Sequence, residues 1–81
     1  MTTAEHVLTW AENSAPHHRQ LQRASVPGNF HSVHMQASAL FNLAALTVRD
    51  MCKAGDLSRQ EVETADILQA ALIMGEWRAE R

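Results

Sequence analysis

Only one cysteine, Cys52, occurs in the 81 residues, so the chain can form no internal disulfide and gives no reason to place it in an oxidising compartment. Cations are also scarce: seven Lys and Arg stand against nine Asp and Glu, a net charge of −2. That balance supplies no attractive field for a nucleic-acid backbone. The sole basic stretch, His17-His18-Arg19-Gln20-Leu21-Gln22-Arg23, brings neither stacking aromatics nor a helix-turn-helix pair, so nucleic acid is not an expected partner. Gly28, Gly55 and Gly75 stand too far apart to form a phosphate-cradling loop. Long hydrophobic runs are missing too. The charge-free stretch between Ala24 and Val48 is interrupted by His31, His34, Gln36, Ser38 and Asn42. Its dense apolar part falls short of the ~20 residues that a membrane span requires. The opening Met1-Thr2-Thr3-Ala4-Glu5 has no basic region followed by an apolar core, which argues against a secretory signal and for a cytoplasmic setting. No repeat or low-complexity tract is present.

What the chain does contain is helical punctuation. Lys53-Ala54-Gly55 closes one apolar, periodic segment, with Gly55 suited to the left-handed position past a helix end. Leu57-Ser58-Arg59-Gln60-Glu61-Val62 opens another: Ser58 and Glu61 are spaced as a capping box, and Leu57 and Val62 as a hydrophobic staple. Thr2 and Glu5 offer a second capping box at the start of the chain. Pro16 ends, kinks or restarts a helix, and Val26-Pro27-Gly28-Asn29 reads as a type II turn. These signals predict a single small all-α domain. A short N-terminal helix covers residues 2–14, an arm and turn 15–29, and two long antiparallel helices, 30–54 and 58–80, form a helical hairpin.

Apolar side chains occupy more than one face of each long helix. Val33, Ala37, Leu40, Phe41, Ala44, Val48, Met51 and Cys52 form the main stripe of the first, and Met35, Ala39, Leu43 and Leu46 lie on its far side. On the second, Ala65, Ile67, Leu68, Ala71, Leu72, Met74 and Gly75 make a broad face opposite Ala70, Ile73 and Trp77. A hairpin burying only its main stripes leaves the second patches uncovered, and the short first helix supplies little area. The expected solution is a dimeric helical bundle, with a larger protein partner as the competing cover. Met35, Ala39, Leu43, Leu46, Ile73 and Trp77 are the candidate partner or dimer interface.

Residues able to carry chemistry are less decisive. His31 and His34 lie at i, i+3 spacing on one helix face and could share a metal ion, with His17, His18 or Cys52 as possible further ligands, but a site needs three or four convergent donors. The HxxH spacing lacks the glutamate of HExxH. Cys52 falls on the apolar stripe, where core packing is its expected role. Glu61, Glu63 and Asp66 at a helix start, and Arg49 and Lys53 at a helix end, fit the helix dipole. No nucleophile–base pairing is identifiable, so no enzyme and no cofactor are expected. The functional expectation is a non-catalytic protein-binding module, a small regulator, adaptor or inhibitor working through an apolar helix face. The alternative is a metal-binding or metal-responsive helical protein using His31 and His34.

Overall fold

The computed structural model describes residues 2–26 and 28–80, with the side chains of 78–80 left aside, and every regular element among them is helical. Helix α1 spans Thr3–Asn13, α2 Ala15–Ser25, α3 Val33–Ala54 and α4 Thr64–Glu80; a 3₁₀ turn at Arg59–Glu61 lies between the last two. The radius of gyration is 11.9 Å. That is what one compact chain of this length should have, about 12 Å by the usual scaling.

The sequence signals account for most boundaries. The Thr2 hydroxyl accepts from the Glu5 amide at 3.2 Å while the Glu5 carboxylate accepts from the Thr2 amide at 3.0 Å, so α1 opens on a complete capping box. Gly55 has φ +82, the left-handed position expected past the end of α3, and its amide donates to the Cys52 carbonyl and the Asp56 amide to the Met51 carbonyl, which makes a Schellman arrangement. Gly28 has φ +89 and the Asn29 amide donates to the Val26 carbonyl at 3.4 Å, as a type II turn requires; Pro27 of that turn lies outside the described residues.

Three boundaries differ from the expectation. Residues 15–25 are not an arm but a full helix, α2, separated from α1 by Ser14 alone, with Pro16 in its first turn where a missing amide costs nothing. Phe30, His31 and Ser32 precede α3, because the Ser32 hydroxyl caps the Met35 amide and starts the helix at Val33. The Ser58 hydroxyl accepts from Gln60 rather than Glu61, and it caps only the 3₁₀ turn. Val62 then adopts extended geometry, φ −101 and ψ 117, and α4 begins at Thr64. A β-branched side chain favours that geometry, and it lets half-buried Val62 pack against the core along with buried Leu57.

All four helices share one core. Ala4, Val7 and Ala11 of α1 and Leu21 and Ala24 of α2 meet Leu40, Leu43, Ala44, Val48 and Met51 of α3 and Ala70, Met74 and Trp77 of α4. The start of α3 faces the later part of α4, where Leu40 approaches Gly75, while the end of α3 faces Arg59 and Val62. Two side chains satisfy the last carbonyls of α2 and tie it down: Asn29 Nδ2 donates to Arg23 O at 2.8 Å, and Gln36 Nε2 donates to Ala24 O at 2.6 Å. No helix among the described residues is long and apolar enough to cross a membrane.

Candidate functional site

An open groove of about 590 Å³ runs between α3 and α4. Ala37, Leu40 and Phe41 form one wall, and Leu68, Ala71 and Leu72 the other. Gly75 widens the floor, since a Cβ placed there would meet only Leu40 Cδ1, at 3.8 Å. Its upper edges are unusually bare: Val33 is 82% exposed, Leu72 63% and Leu68 52%. Among the described residues Glu76 is the one charged side chain in the lining, because both helices cross their charge-free stretches here.

This groove lies on the stripes that sequence periodicity assigned to the hairpin interior. The far-side patch proposed as an interface is instead largely covered by α1 and α2. Leu43 and Trp77 are buried in the shared core, and Ile73 packs against it half-buried. Leu46 and Ala39 are half-buried, and Ala39 lines a small pocket of about 160 Å³ with Phe30 and Leu43. Met35 alone of that set is well exposed. The physical reason is a rotation of the core-facing stripe on α3. Leu40, Leu43, Ala44, Thr47, Val48 and Met51 point inward, so Leu43 and Thr47 take the places expected for Ala37 and Phe41. Thr47 is tolerated there because its hydroxyl donates to the Leu43 carbonyl at 2.8 Å.

One polar pair, a buried histidine with a partly exposed carboxylate, lies outside the expectations from the sequence. His17, in the first turn of α2, is 7% exposed, and its Nε2 lies 2.8 Å from Asp50 Oδ2 near the end of α3. Arg49 Nε stands 3.6 Å from the other carboxylate oxygen. The hydrogen bond from His17 holds the Asp50 carboxyl below its ordinary value of 3.8, opposed by partial desolvation and aided by the positive charges of Arg49 and Lys53. Spacing was the available clue: His17, Leu21 and Ala24 fall at i, i+4 and i+7, a single inward face. The pair fastens α2 to α3. A carboxyl held low in the folded state contributes stability above pH 3.8 that is lost as pH falls through its folded value. Melting curves of wild type and Asp50→Asn should therefore differ fully above that pH, and the gap should close on further acidification. A gap independent of pH would show that the ionised carboxylate is not what His17 holds.

The remaining histidines do not gather. His31 and His34 are both exposed at the start of α3, and no group of three potential metal donors converges among the described residues. Cys52 is half-buried in a shallow cleft with Val48, Arg49, Arg59 and Val62. Comparison with protein-family models, with curated proteins and with solved structures gives no match.

Proposed function

We propose that the protein is a non-catalytic binding module that receives the apolar face of a protein helix in the α3–α4 groove, as a small regulator, adaptor or inhibitor in a reducing, cytoplasmic setting. The observation that carries this reading is the bare, nearly charge-free groove. Large aliphatic side chains stand open to water on a chain that has otherwise closed a four-helix core. Burying a Val or Leu fully is worth about 1.5–3 kcal/mol, so covering Val33, Leu68 and Leu72 gives a partner a favourable contact that the free chain leaves unused. An amphipathic helix fits such a trough through residues at i, i+3, i+4 and i+7. Specificity would come from shape and from the absence of charge, which penalises any partner that brings an ionised group into the trough.

The test is chemical-shift mapping of the isotope-labelled chain with a synthetic leucine-rich amphipathic helical peptide. Saturable changes are expected at Ala37, Phe41, Leu68, Leu72 and Gly75, and Leu72→Asp should abolish them while helical content stays the same. Changes confined to another face, or none at all, would overturn the reading.

A further inference from the structure

We draw no further inference here: the strongest candidate, the open apolar groove between α3 and α4 with Val33, Leu68 and Leu72 at its edges, belongs to the site already described, and nothing in the structure shows what covers it.

Discussion

Leu43→Asp is expected to unfold the chain, whereas Leu72→Asp should leave it folded and helical. Both residues are leucines on long, apolar helices, and the sequence alone favours Leu43 as the one that can accept a charge. In the structure Leu43 is 3% exposed, in the same cluster as Ala24 of α2, Leu40 and Ala44 of α3 and Met74 of α4. A carboxylate there loses most of its hydration, and Arg23, which shares the small pocket beside Leu43, is an exposed side chain and not a buried partner. The chain must bear several kcal/mol of desolvation or protonate the new side chain, and it also loses the leucine's packing. A domain of this size, whose total stability sits toward the low end of about 5–15 kcal/mol, does not survive that loss. Leu72 is 63% exposed, so an aspartate there keeps its water and should alter monomer stability by no more than about 0.5 kcal/mol. Far-ultraviolet circular dichroism and urea titration of the two variants decide the matter. A Leu43→Asp protein that still melts cooperatively, merely with altered association, would return Leu43 to the surface and undo the placement of α1 and α2 over it.

This contrast shows where sequence reasoning reaches its limit in a small helical protein. Local chemistry was legible. Thr2 with Glu5, Gly55 with its neighbouring amides, and Gly28 in its turn each act within a few residues, and each took its expected geometry. The direction in which each helix faces was not legible, because that depends on elements far away in the chain. In α4 the stripe Ile67, Ala70, Met74 and Trp77 and the stripe Leu68, Ala71, Leu72 and Gly75 are similarly apolar, so periodicity alone could not choose the inward one. The choice falls to α1 and α2. If residues 15–25 are a solvated arm, half of that cover is missing and the uncovered side falls where α1 and α2 in fact lie. The apolar character of Val33, Ala37, Leu40, Phe41, Leu68, Ala71 and Leu72 is plain in the sequence; which stripe stays in water is not. The His17–Asp50 pair spans 33 positions: the spacing within α2 turns His17 inward, but nothing local names Asp50 as its partner.

Leu21→Ala measures how much α2 contributes. Mean composition makes α2 the least apolar of the helices, and its inward face holds only His17, Leu21 and Ala24. Leu21 is its sole large aliphatic anchor and has no exposed surface. Truncation removes that packing and leaves a void bounded by helices held on other sides, a change that typically costs 2–5 kcal/mol. In a domain of this length each kcal/mol moves the melting temperature by about 4–8 °C, so a fall on the order of 10 °C or more is expected. Leu68→Ala, at a side chain 52% exposed, supplies the comparison and should change monomer stability by well under half as much. Amide exchange distinguishes global from local loss. If α2 is integral to the core, Leu21→Ala speeds exchange in α1, α3 and α4 along with α2, because the whole bundle opens more often. Faster exchange confined to residues 15–25, with a melting temperature close to wild type, would mean that α2 is a detachable flap. The His17–Asp50 and Gln36–Ala24 bonds would then fasten it without making it part of the fold.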